Sequence, residues 1–396
     1  MSPHIAIAGA GAAGCLCAIE IKRRRPEASV TVHEAGPKPL AKLALTGGGR
    51  CNLTNTFDGI RDLREAYPRG YRLMKRALPH FGPRQTMQWF ESAGIRLKEE
   101  DGGRIFPVSD DALQIVGVLR REMARLGIEI RCQSRISDIR TLLRSADAVV
   151  VATGGSPKAA GLSFLSPLGL RIEEPVPSLF TFRSDDAALK ALTGTAAPSA
   201  ILSIPGTSFR AEGPLLLTDW GFSGPATLRL SSYAARYLAD QGYNSPLAVN
   251  WTGLSEQQLR EELSGCASRN GQKLMKGSPA AGLPARLWEQ LLLRSGLRPD
   301  IRWAELGSKG FNRLVSTLTN DACRISGRAA FKEEFVTCGG VSLEEVDPAT
   351  LGARCQAGLY FAGEVLDIDA VTGGFNLQAA WTTGWICARS VGDYCK

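Results

Sequence analysis

Histidine is nearly missing from this chain: His4, His33 and His80 are the only 3 in 396 residues. None has a carboxylate partner at a recognisable spacing, so Ser-His-Asp hydrolysis has no support. The 10 cysteines include no CxxC pair and no Cys/His cluster at metal-ligand spacing, so no metal site is expected. Cys15 and Cys17 stand two apart on an expected helix and face different directions, which argues against a dithiol redox centre. The thiols read as reduced, small, buried hydrophobes. No uninterrupted apolar run of about 18 residues occurs, so no spanning helix and no membrane partner is expected. The apolar stretch from Ile5 to Ile21 is interrupted by Gly9, Gly11 and Gly14 and has no basic residues before it, unlike a signal peptide. A cytoplasmic location is the default expectation. Internal repeats and low-complexity tracts are also missing.

What is present suits a folded protein of two or three domains. Hydrophobic residues make up 44% and charged residues 22% of the chain, enough apolar surface to offset chain entropy. Glycine is abundant at 43 residues, which implies many tight turns or close ligand approaches. The formal net charge of +8 favours a polyanionic partner only weakly. The stretch from Arg61 to Arg76 mixes many cations with Asp62 and Glu65. It reads either as a solvated helical face or as a nucleic-acid footprint. The run from Lys22 to Arg25 closes the first helix, where cations complement the macrodipole.

The N-terminus carries the strongest local signal. A short apolar strand, His4 to Ala8, feeds Gly9-Ala10-Gly11-Ala12-Ala13-Gly14. A helix then runs to about Arg25, and a second strand, Ser29 to His33, ends at Glu34. This is a β-α-β unit with a GxGxxG turn. Its backbone N–H groups and helix dipole suit a pyrophosphate. Glu34, with Ala35 beside it, stands where an acid accepts from ribose hydroxyls. His33 reads as a structural neighbour of the adenosine end. Two further strands end in small residues: Ala148 to Ala152 runs into Thr153-Gly154-Gly155, and Leu359 to Ala362 runs into Gly363-Glu364. In an open α/β sheet, ligands collect at such carboxyl ends. A helix opening at Gly373-Gly374-Phe375-Asn376-Leu377 can aim N–H groups at the electron-rich edge of a flavin. Distant parts of the chain meeting in this way point to FAD rather than to a lone NAD.

Between these landmarks, helices are expected over about 63–78 and 83–93. Another is expected from a Ser109 cap to Leu126, and strands over 128–132 and 329–338. Short strands such as 199–204 and 215–218 fill the region 183–255. The region 256–294 has helical character with Pro and Gly breaks.

Several longer segments resemble one family. They are Thr46-Gly47-Gly48-Gly49-Arg50-Cys51-Asn52-Leu53-Thr54-Asn55, Gly103 to Pro107, Gly221-Phe222-Ser223-Gly224-Pro225, Thr337 to Val341, and Gly363-Glu364 through Gly373 to Gln378. They resemble the BaiN-like flavoproteins, also called YhiN-like or aminoacetone-oxidase-like, over nearly the whole chain. The resemblance implies a doubly wound, Rossmann-like α/β FAD domain of the glutathione-reductase type, with an inserted β domain and a helical cap. The boundaries expected are 1–182 and 336–396 for the FAD domain, 183–255 with 312–335 for the β domain, and 256–311 for the cap. Activities within the family differ: reduction of an activated C=C in a steroid-like substrate, oxidation of a small amine, and reduction of uridine in ribosomal RNA. Relatives carry a His ahead of the Gly-x-Ser-Gly-Pro motif, whereas this chain has Asp219 there.

The resulting expectation is an FAD-dependent oxidoreductase, with reduction of an activated C=C preferred. Its substrate is a small molecule or ribosomal RNA. Oxidation of a small amine and a low-turnover flavin-containing binding protein are the alternatives. No second GxGxxG unit follows a strand, so NAD(P)H, if it is the electron donor, visits transiently. Lys42, Thr46 and the 47–49 glycines are cofactor candidates, with the backbone lying against the ring or the pyrophosphate. Arg50 neutralises pyrophosphate, binds substrate or forms a surface ion pair. Cys51 is either an acid or nucleophile beside the flavin or, preferably, a small residue in a tight loop. Asn52 bonds the loop or the flavin, and Asp369 bonds FAD or serves a turn.

Overall fold

The computed structural model describes residues 2–329 and 336–395. Contacts divide the chain into two units, Met1–Val176 with Val336–Lys396, and Pro177–Phe335.

The first unit is built on a five-stranded parallel sheet. Its strands are β1 (His4–Ala8), β2 (Ser29–His33), β3 (Glu129–Arg131), β4 (Ala148–Val151) and β5 (Leu359–Phe361). The order across the sheet is β5-β4-β1-β2-β3, with Ile5 opposite both Val30 and Ala148, and Tyr360 opposite Val150. The central strands are continuously apolar and buried, as a sheet covered on both faces requires. The Rossmann reading of the sequence is therefore correct.

One helix lies against β1 and β2, and the final helix packs on it and on β5. α1 (Ala12–Arg24) has Lys22, Arg23 and Arg24 in its last turn, where cations suit the negative end of the dipole. Lys22 also donates to the Pro26 and Ala28 carbonyls, sealing the exit to β2. α1 packs on the final helix (Phe375–Tyr394), whose Gly384 has no room for a side chain: a Cβ there would sit 2.5 Å from the Ala13 carbonyl oxygen. The last helix runs 20 residues, to Tyr394.

Three local expectations need correction. The helix expected over 63–78 is two pieces, α2 (Leu63–Ala66) and α3 (Tyr71–Ala77). Pro68 cannot continue a helix, and Gly70 turns at φ +80° against Ile368. The helix Ala112–Arg125 is capped by Asp111, which accepts from the Leu113 N–H, and not by Ser109, which bonds Gln114. The strand expected over 329–338 is described as Val336–Val341, paired with Ile172–Ser178; 330–335 lie outside the described residues.

The second unit holds a seven-stranded antiparallel sheet. Its order is Asp321–Ile325, Ser245–Asn250, Ala196–Ser203, Arg210–Leu217, Gly221–Ser223, Phe182–Arg183, Gly327–Arg328. Ile325 and Gly327 are two residues apart yet belong to opposite edge strands. Two residues span at most about 7 Å, so the sheet must curl until its edges approach. Helices Glu256–Asn270, Ala285–Arg294 and Gly307–Asn320 share one hydrophobic cluster with this sheet, including Leu202, Trp251, Leu259, Trp288 and Leu314. The first boundary between units falls at 176/177.

Candidate cofactor site

The carboxyl ends of β1, β2 and β4 open into a cavity of about 280 Å³. Gly9, His33, Glu34 and Ala35 line it from the first two strands, and Thr153, Gly154 and Gly155 from the third. Ser134, Arg135 and Ile136 line it from the loop after β3. This last group carries no sequence signature. It arrives because β3 lies parallel to β2, with Thr31 opposite Glu129.

The glycines of the first turn divide by function. A Cβ on Gly14 would overlap the Gly9 carbonyl, and one on Gly9 would overlap the Ala152 carbonyl. Those two are required for packing. Gly11 faces open space, with nothing within 4 Å of a Cβ. As the N-cap of α1 it has no side-chain cap, and the first turn holds no acid. The N–H groups of the helix start are therefore left available to an anion.

Glu34 is committed to its own loop. One carboxylate oxygen accepts from the Ala10 N–H at 3.0 Å, the other from the Gly36 N–H at 2.7 Å. Glu364 repeats the device on the other side of β4, accepting from Gly155 N–H at 3.1 Å and Thr337 N–H at 2.8 Å. Both acids shape the backbone around the cavity. His33 bonds Ser134 Oγ at 2.9 Å, and burial lowers its pKa below the ordinary histidine value.

The second glycine turn behaves differently. Gly47, Gly48 and Gly49 all have φ between 59° and 85°, a region that favours glycine. A Cβ on Gly47 would strike the Asn52 N–H, whereas Gly48 and Gly49 face open space. Lys42 and Leu45 are exposed nearby, and Thr46 bonds Leu43 O. Arg50 turns away from the glycines to pair with Asp110 and Glu100 over the Phe106 ring. Its guanidinium is thus engaged by two carboxylates. Hydrogen bonds from Arg50 hold the Glu100 carboxyl below its ordinary value; Lys98 and then Arg50 do the same for Asp110. Cys51 is fully buried, and burial pushes its thiol up to about 12. A thiol so shifted stays protonated near neutral pH and is a poor nucleophile.

This turn is bolted to the start of the final helix. With its amide oriented to suit its neighbours, Asn52 donates to Thr54 O and accepts from Gly374 N–H. Asn55 donates to Gly373 O at 3.0 Å, Thr54 Oγ to Gln378 at 2.5 Å, and Trp381 Nε1 to Leu53 O at 3.0 Å. Gly374 has φ 94° and no room for a Cβ beside the Thr54 carbonyl. The Phe375 carbonyl accepts from Tyr67, and Asn376 brackets both backbone groups of Ala370. Leu377 is half-buried. Asp369 is fully buried against Arg69, its Oδ1 accepting at 2.5 Å from Arg69 Nε. Arg69 thus holds its carboxylate in a buried ion pair.

Gly363 closes on Ala13, where a Cβ would be 3.0 Å from the Ala13 Cβ, and donates to Thr383 Oγ. Ala12 and Ala13 thus begin α1 beside the final helix, and Ala152 lies buried under Gly9. The predicted residues of the N-terminal turn, β2, β4, the 46–52 turn and the final helix all belong to one unit. Asp219 does not: it is exposed in the turn between two strands of the second unit.

The family description HI0933-like protein Rossmann domain matches residues 3–390. The Ribosomal RNA dihydrouridine synthase of Escherichia coli (strain K12) is 30% identical over 408 residues, covering 97% of each chain. The protein of the same name from Haemophilus influenzae is 29% identical over 413 residues, again covering 97% of each. The 3-dehydro-bile acid delta(4,6)-reductase of Clostridium scindens is 27% identical over 414 residues, covering 98% of this chain and 99% of that one. The chain belongs to the HI0933-like family of FAD-dependent oxidoreductases.

Proposed function

We propose that this protein reduces an activated C=C bond, that of uridine in ribosomal RNA, working in the cytoplasm with NAD(P)H as electron donor. The observations that carry the FAD placement are the cavity lined by Gly9, Glu34 and Gly154 at the strand ends and the uncapped helix start at Gly11, which faces open space. The residues around that opening fit the cofactor on this ground. Gly11 and the N–H groups of Ala12 and Ala13 would hold its pyrophosphate. The cavity rim from His33 to Ala35 and from Thr153 to Gly155 would hold its adenosine end. The open faces of Gly48 and Gly49, with the start of the final helix, would lie against its ring. FAD, when bound, supplies hydride transfer. The chain positions the ring, excludes water and lends its backbone N–H groups to the negative charge.

The substrate reading rests on two near-full-length relatives whose names specify rRNA dihydrouridine synthesis and on a third named as a reductase. The net reaction adds one hydride and one proton across the double bond. NAD(P)H is oxidised and the uracil ring is reduced.

Anaerobic stopped-flow mixing of the FAD-loaded protein with NADPH or NADH tests the donor, and bleaching of the flavin absorbance is the expected result. Mass spectrometry of ribosomal RNA from cells lacking the gene tests the substrate: loss of a dihydrouridine is expected. Unchanged rRNA, with flavin reduced by an amine and peroxide released in air, would replace this reading with amine oxidation. Inertness towards all of these would leave a binding role.

A further inference from the structure

We infer that the exposed face of α3, with the start of α2, is the tract that grips the phosphate backbone of the RNA substrate. This rests on the reading of rRNA as substrate and adds the surface that holds it.

The argument begins with helix geometry. At about 3.6 residues per turn, Tyr71, Lys75, Arg72 and Arg76 fall on one contiguous arc of α3. Leu73, Met74 and Ala77 fall on the opposite arc, and those three are buried. Arg72, Lys75 and Arg76 are exposed, and so is Arg61 ahead of α2. α3 contains no acidic residue. Arg72 and Arg76 are like charges four apart, an arrangement that weakens an isolated helix by a few tenths of a kcal/mol (about 0.2–0.5).

Some exposed arginines of the same unit are neutralised nearby, while others, such as Arg84, Arg120 and Arg144, also form no ion pair among the described residues. Arg125 pairs with Glu122, Arg131 with Glu129, Arg140 with Asp138 and Arg171 with Glu344. Arg61, Arg72, Lys75 and Arg76 form no ion pair among the described residues. A solvated face needs no such concentration of unpaired positive charge; a polyanion does. Tyr71 lies between two guanidinium groups, Arg64 at 5.8 Å and Arg72 at 5.7 Å from its ring centre. Cations around an aromatic face form the elements of a single-strand platform.

Placement supplies the second argument. The residues joining α2 to α3 are anchored on the segment that leads into the final helix. Tyr67 donates to Phe375 O at 2.9 Å, Arg69 pairs with Asp369, and Gly70 packs on Ile368. The cationic face is therefore fixed to the same segment that closes on the 46–52 turn. RNA held there by its phosphates would present a splayed base beside the proposed ring position.

The test is fluorescence anisotropy of the FAD-loaded protein with a fluorescein-labelled ribosomal RNA fragment, titrated against salt. The variant Arg72→Glu/Lys75→Glu/Arg76→Glu should bind at least about 30-fold more weakly at low salt, and the salt slope should fall by roughly one for each phosphate no longer neutralised. Flavin absorbance and the rate of NADPH bleaching should be unchanged. The neutral variant Arg72→Gln/Lys75→Gln should move in the same direction with less risk to the fold, and Arg72→Lys/Arg76→Lys should retain binding. Wild-type affinity and salt slope in the neutral variant would overturn the surface. So would wild-type protein that ignores RNA but binds phosphatidylserine vesicles. RNA binding that depends on these cations, without any reduction of uridine, would support the surface and overturn the reaction assigned to it.

Discussion

The two glycine turns of the first unit look alike in sequence and differ in what their glycines are for. In the 9–14 turn, Gly9 and Gly14 are enclosed by backbone and only Gly11 opens outward, at a negative φ that any residue adopts. In the 47–49 turn only Gly47 is enclosed; Gly48 and Gly49 are open but left-handed. The first turn is an internal joint with one free face. The second is a left-handed arch, held on its C-terminal side by Asn52 and Asn55. A glycine motif therefore mixes positions that fold the chain with positions that leave room for a ligand, and the two kinds separate under substitution.

The sharpest way to break the comparison is Gly14→Ala. Its methyl would overlap the Gly9 carbonyl, and overpacking against backbone has no cheap relief. We expect a loss of about 3 kcal/mol or more in denaturant unfolding, or no soluble protein at all. Next comes Glu34→Gln, which replaces a charged acceptor of two N–H groups with one acceptor and one clashing donor. A loss of about 2 kcal/mol is expected in the same assay. Gly48→Ala has space but the wrong φ, and should cost about 1 kcal/mol. Gly11→Ala should leave stability within about 0.5 kcal/mol of wild type while weakening FAD at least about 10-fold by isothermal titration, a factor equivalent to about 1.4 kcal/mol. A Gly11 variant that was strongly destabilised while keeping wild-type FAD affinity would reverse the roles assigned to the two kinds of glycine. The smallest effect expected is at Cys51. With its thiol pushed up to about 12, it should resist iodoacetamide at pH 8 while exposed Cys132 and Cys355 react, as peptide mapping would read.

The fold was legible wherever the signal was local. A strand, a glycine turn, a helix and a second strand within the first 33 residues specify β1-α1-β2, because their hydrogen bonds and packing close over short spans. The site was legible only as a set of segments. That Asn55 reaches Gly373 depends on a contact across 318 residues, which no periodicity encodes. Acids do stand at the strand ends, but spacing says nothing about their partners. Glu34 and Glu364 are both taken by backbone N–H groups, Arg50 by Glu100 and Asp110, and Asp369 by Arg69. The break at Pro68–Gly70 was visible in the letters and was outweighed by the helical pattern around it. Ser109 and Asp111 are both good N-caps, and which of them acts depends on where Asp110 places the chain, at φ 53°.

The Glu364 clamp joins the loop after β4 to Val336–Val341, and β5 completes the sheet beside β4. Between these partners in sequence lies the whole second unit. A nascent chain leaving the ribosome would therefore expose β4 and the inner face of α1 throughout synthesis of some 160 intervening residues. Those surfaces are apolar and have an unpaired strand edge, the combination that recruits chaperones or invites aggregation. Completion of the sheet is a late event, timed by translation of the final segment rather than by the speed of local folding.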